Sequence, residues 1–320
     1  MITLPPNGGV VVCYGAGVDS TAMLVAMHRQ GLRPDLITTA DTGGEKPETY
    51  AYAERMDVWL ASVGFPPITW CRKVTLPTTP YDDLEGNNTH NTTLPSLAFG
   101  MKSCSIKWKQ GPQDQYLKGS QAPHNPMPAH PLWGAYKAGG AKIVKLIGYD
   151  DGPADQRRSK RLKTADDDFS YVYPLQQLGW AREECIRAIV EEGLPVPLKS
   201  SCWFCPASQK WEIFWLAGTH PDLFLRALEM EHGALTGRHS RWDGDLGKWA
   251  DVIRGDTFPS AKGTVGLGRK FAWSFYAREQ GIVDRDGNIK ASPAWLLARS
   301  AELKNGGGNA SDTALVRLIV

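Results

Sequence analysis

The sequence lacks any run of about 18 apolar residues, which is the length that a membrane-spanning helix requires. Its start, MITLPPNGGV, has neither the basic region nor the apolar region of a secretory signal peptide. It also lacks an excess of charge, because 36 Lys and Arg residues against 34 Asp and Glu residues leave a net charge of +2. We therefore expect a cytoplasmic protein with no membrane partner that does not bind nucleic acid through bulk charge alone.

The sequence is also poor in cysteine, with six in 320 residues. A reducing cytoplasm keeps thiols free, so these cysteines are better explained as metal ligands, reactive thiols or packing residues than as disulfides. Internal repeats are absent as well. What is present is a hydrophobic content of 42%, which is enough for a sizeable core.

Short apolar runs alternate with helical patterns through the first half of the chain. This alternation predicts an α/β fold: a Rossmann-like parallel sheet with helices on both faces. The helical patterns that dominate afterwards predict a smaller, mainly helical C-terminal domain. We place the domains at 1–175 and 176–320, and we expect residues 76–100 to form a long surface loop. The predicted strands are 9–14, 36–42, 68–75, 141–149 and 170–175.

A glycine loop follows the first predicted strand and leads into the first helix. Small residues at such a junction let backbone N–H groups face an anion at the positive end of a helix, so phosphate is the expected ligand. No G-K-[ST] follows, which excludes a Walker loop, and Asp19 stands where a dinucleotide fingerprint needs glycine. The alternative is an ordinary turn with Ser20 as a helix cap. The loop consists of Gly15, Ala16, Gly17, Val18, Asp19, Ser20 and Thr21.

Two further motifs follow predicted strands. The segment 41–50, D-T-G-G-E-K-P-E-T-Y, opens a helix after the second strand, and Asp41 and Gly43 can address ribose or phosphate there. The segment 147–151, I-G-Y-D-D, precedes Arg157 and Arg158, whose guanidinium groups suit phosphate. The alternative for these arginines is a solvated charge run.

These motifs, together with C-S-I-K-W-K (104–109) and C-W-F-C-P (202–206), resemble the phosphoadenylylsulfate (PAPS) reductase-like family of PP-loop adenine nucleotide α-hydrolases, in its phage and bacterial branch. The resemblance implies a HUP-type fold, ATP or PAPS as the bound nucleotide, and Mg²⁺. It implies catalytic roles for Asp19, Ser20 and Lys107. The implied nucleotide contacts are Gly15, Ala16, Gly17, Asp19, Ser20, Thr21, Asp41, Gly43, Gly148, Arg157 and Arg158.

The resemblance also implies a metal site formed by four cysteines. A C-x-x-C spacing followed by proline is similar to runs that bind a [4Fe–4S] cluster. A zinc site with four cysteine ligands, or with three cysteines and His220 or His232, and the absence of any metal are the alternatives. The implied ligands are Cys104, Cys185, Cys202 and Cys205.

Three functions stay open at this stage. The first is an ATP-using enzyme that adenylates an acceptor and releases pyrophosphate, for sulfur transfer or nucleic-acid modification. The second is a true PAPS reductase, although the end of the chain offers no further cysteine to attack the sulfonate. The third is a non-catalytic nucleotide-binding regulatory module. Tryptophans among cations at 238–273 suit a nucleic-acid acceptor or simple packing, and the sequence leaves the oligomeric state undetermined.

Overall fold

The computed structural model describes residues 1–6, 8–161, 166–236 and 266–306. The chain forms two compact units. The first unit comprises Met1–Asp41, Glu45–Val74 and Lys109–Ser200. The second comprises Thr42–Gly44, Thr75–Trp108 and the chain from Ser201 onward. The boundary predicted near residue 176 lies inside the first unit.

The first unit contains a five-stranded sheet in the order β3-β2-β1-β4-β5, and all neighbouring strands are parallel. The predicted α/β, Rossmann-like fold class is confirmed, and each of the five predicted strands is present. The central strand, Val10–Cys13, is continuously apolar because a parallel sheet is covered on both faces. The strands are β1 (Val10–Cys13), β2 (Leu36–Asp41), β3 (Ile68–Arg72), β4 (Ile143–Ile147) and β5 (Phe169–Val172).

Helices flank this sheet, and four of those in the first unit begin at a proline. Proline suits the first helical position because its φ is already helical and its missing N–H would have no partner there. Numbered along the whole chain, the helices of the first unit are α1 (Val18–Arg29), α2 (Pro47–Ser62), α5 (Gly111–Lys118), α6 (Pro131–Ala138), α7 (Pro153–Ser159), α8 (Pro174–Leu178) and α9 (Arg182–Glu191).

Helix α1 is the most deeply buried helix of the first unit, since every residue from Ser20 to Met27 is buried. It packs against α9, and Arg29 at its end donates to the carbonyl of Ala188 in α9 at 3.1 Å. Burial on all sides fixes the start of α1, and with it the glycine loop that precedes this helix.

The described part of the second unit is mainly helical. A 3₁₀ turn covers Ser96–Phe99, and the π-helical turn Ile106–Gln110 contains the boundary between the two units at residues 108 and 109. Nowhere in the described ranges is there a helix with the length and apolar character to cross a membrane. The helices of this unit are α3 (Leu84–His90), α4 (Ser103–Ser105), α10 (Lys210–Thr219), α11 (Pro221–Thr236), α12 (Trp273–Glu279) and α13 (Pro293–Gly306).

The expectation of a structureless surface loop at 76–100 is wrong. This stretch forms α3 and the 3₁₀ turn, and it buries Leu84, Leu94 and Ala98 in the core of the second unit. Helix propensity is low here, but the Asp83 carboxylate caps α3 by accepting from the N–H of Gly86 at 2.6 Å. Tertiary burial and this cap outweigh the polar composition that indicated a loop.

Candidate nucleotide-binding site

The strand order of the sheet reverses beside β1, because β2 lies on one side of it and β4 on the other. Ligands of open α/β sheets bind at such a switch point, outside the carboxyl ends of the two strands. The glycine loop follows β1, and Gly148–Asp151 follows β4. The two motifs that sequence analysis placed after different strands are thus brought to one place.

The Ser20 side chain organises the glycine loop. Its Oγ accepts from the N–H groups of Gly15 (3.2 Å) and Gly17 (3.3 Å) and donates to the carbonyl of Gly17 (3.1 Å). Gly17 is the N-cap residue of α1, so Ser20 stands in the first turn rather than at the cap. A phosphate that takes these two N–H groups must displace the Ser20 hydroxyl. Ala16, the residue between the two glycines, has a φ of 51°, a conformation that favours glycine.

Gly148 lies against the start of α1. A Cβ added at this glycine would stand 2.7 Å from Cα of Ser20, 2.8 Å from its N and 3.0 Å from the carbonyl carbon of Asp19. These are backbone atoms of a buried helix and cannot move aside cheaply. The end of β4 therefore approaches α1 closely because residue 148 has no side chain.

Three carboxylates meet at this point. Asp19 is in the first turn of α1, Asp150 follows β4, and Asp155 is in the first turn of α7. Each offers an oxygen, and these oxygens lie within 4.8 Å of one another. Asp155 is buried and the other two are half-buried. Carboxylate oxygens are the ligands that Mg²⁺ prefers, so the group is suited to a divalent cation.

Two arginines pair with this acidic group. Nη1 of Arg182 lies 2.9 Å from Oδ1 of Asp19, and Nη1 of Arg158 lies 2.6 Å from Oδ1 of Asp155. Burial raises the pKa of the Asp19 carboxyl to about 6; Arg182 acts to lower it, and the charges of Asp150 and Asp155 add to the rise. Burial also raises the pKa of Asp155, although Arg158 opposes the change. At neutral pH Asp19 is charged, and keeping this charge in a poorly solvated position lowers the stability of the folded protein.

Asp19→Asn is expected to make the protein more stable at neutral pH. The raised pKa means that folded protein binds this proton more tightly than the unfolded chain does. The contribution to stability is therefore full below about pH 4 and is lost as pH rises through about 6. Relative to wild type, the variant should gain about 2 kcal/mol between pH 4 and pH 7.5 in urea unfolding without divalent cations.

The matched control is Asp151→Asn, because Asp151 neighbours the three carboxylates without belonging to their group. Its carboxylate accepts from Gln156 at 2.8 Å, a bond that asparagine can keep. The control should show no comparable change with pH. If the difference in stability between wild type and Asp19→Asn did not vary with pH, the raised pKa of Asp19 would be contradicted.

The remaining predicted contacts differ in their surroundings. Thr21 is fully buried and its hydroxyl contacts that of Tyr14 at 3.2 Å, so this side chain is engaged inside the protein. Arg157 and Arg158 lie exposed in the last turn of α7. Lys107 is exposed in the π-helical turn of the second unit.

Asp41 is held inside the first unit. Its Oδ1 accepts from the hydroxyl of Tyr50 at 2.7 Å, and its Oδ2 lies 3.5 Å from Nη1 of Arg72. Gly43 belongs to the second unit and has a φ of 73°, which only glycine adopts easily. The D-T-G-G motif is therefore divided between the units after its first residue.

The remainder of that motif holds the C-x-x-C turn of the second unit. The Thr42 hydroxyl lies 3.2 Å from Sγ of Cys202, and the N–H of Trp203 donates to the carbonyl of Gly44 at 2.9 Å. A Cβ on Gly44 would stand 2.6 Å from the Phe204 ring. Two motifs 160 residues apart in sequence are thus in direct contact.

The four predicted metal ligands are divided between the units. Cys104, Cys202 and Cys205 belong to the second unit, and the N–H of Ala207 donates to Sγ of Cys205 at 3.4 Å, as suits a thiolate ligand. Cys185 lies in α9 of the first unit, where burial raises the pKa of its thiol well above the ordinary value. Within the described ranges, no three Cys or His ligand atoms lie within 4.8 Å of one another.

A single zinc ion with ligands at about 2.3 Å holds its thiolates within such a distance, whereas a [4Fe–4S] cluster binds them through separate iron atoms. The distances among the described residues therefore do not test the cluster. The four-cysteine site stays a prediction, and no step below depends on it.

Asp150, Asp155 and Arg182 were not predicted from the sequence to belong to the site. Asp150 had a usable signal, because it directly follows a predicted strand at the edge where ligands bind. Asp155 and Arg182 had none, since their meeting with Asp19 depends on how α7 and α9 pack. Among the tryptophans between 238 and 273, Trp273 is buried in the core, and Trp242 and Trp249 lie outside the described residues.

Fold and site together define an α/β protein with a parallel sheet whose switch point carries a glycine loop and three carboxylates. No family model matches this chain, and no curated protein matches its sequence.

Proposed function

We propose that this protein is a PP-loop enzyme that binds ATP and activates an acceptor by adenylation with release of pyrophosphate, for sulfur transfer or nucleic-acid modification. The observation that carries the proposal is the convergence of the glycine loop, Gly148 and three carboxylates at the switch point of the sheet. A triphosphate needs both N–H donors and a divalent cation, and this point offers groups for each.

The N–H groups of Gly15 and Gly17 are suited to phosphate oxygens once the Ser20 hydroxyl turns away from them. Asp19 and Asp150 would hold Mg²⁺ together with Asp155. When bound, the cation neutralises charge that develops as pyrophosphate leaves. Arg182 is placed to hold the Asp19 carboxylate in position through the 2.9 Å ion pair.

MgATP binding by isothermal titration calorimetry tests the proposal. Wild type should bind ATP in the presence of Mg²⁺ and much more weakly in EDTA. Asp19→Asn should weaken binding in Mg²⁺ at least about tenfold, because it removes a charged ligand of the cation. Asp151→Asn, which removes a charge next to the acidic group, should bind like wild type. Equal affinities in Mg²⁺ and EDTA would contradict the proposed cation site.

Turnover separates the remaining alternatives. We expect pyrophosphate and an AMP-linked acceptor from ATP in the presence of DNA, RNA or a low-molecular-weight cell extract, measured by enzymatic pyrophosphate detection and mass spectrometry. If the protein bound PAPS more tightly than ATP and released sulfite from it, its activity would be sulfonucleotide reduction and not adenylation. Nucleotide binding with no product from any acceptor would favour a regulatory module.

A further inference from the structure

The second unit contains a cavity of about 250 Å³ that none of the proposed nucleotide contacts explains. Its described walls come from α3, from the chain between residues 92 and 108, and from Ala234 in α11. The volume lies below the range of about 300–1,000 Å³ typical of drug-sized ligands, so an occupant has the size of a small metabolite.

Two polar groups on the cavity wall have buried atoms without a hydrogen-bond partner in the described structure. They are Nδ2 of Asn88 in α3 and Oγ1 of Thr92, which lies two residues beyond the end of α3. Asn88 is only 3% exposed. Native proteins pair nearly all such groups, and each exception needs a specific reason. A ligand in the cavity that accepts hydrogen bonds supplies that reason for both.

The charge of the wall selects the kind of ligand. Lys107 is the one charged side chain among the described residues that line the cavity, and no carboxylate is among them. Because Lys107 is also exposed, it stands on the solvent side of the cavity, whereas Asn88 is buried. The remaining wall includes the apolar side chains of Leu84, Leu94 and Trp108. These features disfavour a cation and favour an anion with an apolar body.

We propose that this cavity binds a small organic acid, whose carboxylate accepts hydrogen bonds from Asn88 and Thr92 and is attracted by Lys107. An apolar body of the acid packs against Leu84 and Trp108. The site lies wholly within the second unit, and its existence does not depend on the proposed adenylation chemistry.

Titration calorimetry of the full-length protein without nucleotide tests this proposal with four probes of similar size. Benzoate offers a carboxylate, benzamide a neutral carbonyl group, benzylamine a cation and uracil a nucleobase edge. Benzoate should bind most tightly and lose affinity as salt is raised, and benzylamine should not bind. If benzamide or uracil bound more tightly than benzoate, the ligand would be a neutral molecule and not an organic acid. If no probe bound, or if only benzylamine bound, the proposal would be overturned.

Matched variants locate the binding. Thr92→Val and Asn88→Leu keep the side-chain size and should each weaken benzoate binding about tenfold or more. Thr89→Val, an exposed threonine of the same helix outside the cavity wall, should leave binding unchanged. Unchanged affinity in both cavity variants would move the site elsewhere.

Lys107→Met tests the role of the positive charge. Lys107 is exposed, so its replacement does not disrupt the hydrophobic core. It should weaken benzoate binding severalfold, remove most of its salt dependence and leave benzamide binding unchanged. Lys102→Met is the control, since Lys102 is exposed and close in sequence but does not line the cavity. Equal effects of the two substitutions would exclude a specific role of Lys107.

Discussion

Gly148→Ala is expected to lower the free energy of unfolding by about 3 kcal/mol and to weaken MgATP binding at least about tenfold. The added Cβ would stand 2.7 Å from Cα of Ser20 and 2.8 Å from its N, so β4 and α1 must separate. Overpacking of this kind usually costs about 1–3 kcal/mol, and here neither contact atom belongs to a flexible side chain. The separation also displaces Asp150 from Asp19 and so disrupts the three-carboxylate group.

Urea unfolding and titration calorimetry measure the two effects. Gly134→Ala is the control, because Gly134 lies exposed in α6 with no atom within 4 Å of an added Cβ. Alanine is the better helix former, so this variant should be as stable as wild type or slightly more stable. A Gly148→Ala protein that binds MgATP as wild type does would show that the contact of β4 with α1 does not matter for the nucleotide.

Glu231→Ala is expected to lower the free energy of unfolding by about 4 kcal/mol, the largest effect that we expect from a single substitution outside the nucleotide site. The Glu231 carboxylate is fully buried in α11. Its Oε1 accepts from the N–H groups of Leu267 (2.7 Å) and Trp273 (2.8 Å), and its Oε2 accepts from both N and Oγ of Ser274 at 2.7 Å. Alanine leaves these four donors buried without that acceptor.

Chemical denaturation followed by circular dichroism measures this loss. Glu229→Ala is the control, since Glu229 is exposed on the same helix and should change stability by less than about 0.5 kcal/mol. Glu231→Gln keeps one acceptor oxygen and should fall between the two. If Glu231→Ala unfolded with the same free energy as Glu229→Ala, the carboxylate would not be what holds the start of α12.

The sheet was predictable because each strand is a short stretch rich in apolar and β-branched or aromatic residues, a signal that is local in sequence. The glycine loop was predictable for the same reason, since strand, small residues and helix follow one another directly. The polar stretch at 76–100 was predicted incorrectly. Its few apolar side chains, among them Leu84 and Leu94, are widely spaced, yet their burial in the second unit accompanies a helix and a 3₁₀ turn.

The candidate site was predictable only in part. Sequence position placed Asp19 and Gly148 at the ends of strands, where parallel sheets bind ligands. Nothing local pointed to Asp155, or to Arg182, which is 163 residues from its partner Asp19. The unpaired groups of Asn88 and Thr92 likewise become visible only when the donors and acceptors around them are known.

The amino-acid sequence by itself determined the five strands of the sheet and the glycine loop that precedes the first helix, because these features depend on neighbouring residues. Only the tertiary structure decided the strand order that creates the switch point and the division of the D-T-G-G motif between two units. It also decided the meeting of three carboxylates from α1, the loop after β4, and α7, and the cavity in the second unit. Those features depend on packing between residues far apart in the chain, and hydrophobic periodicity carries no information about such pairs.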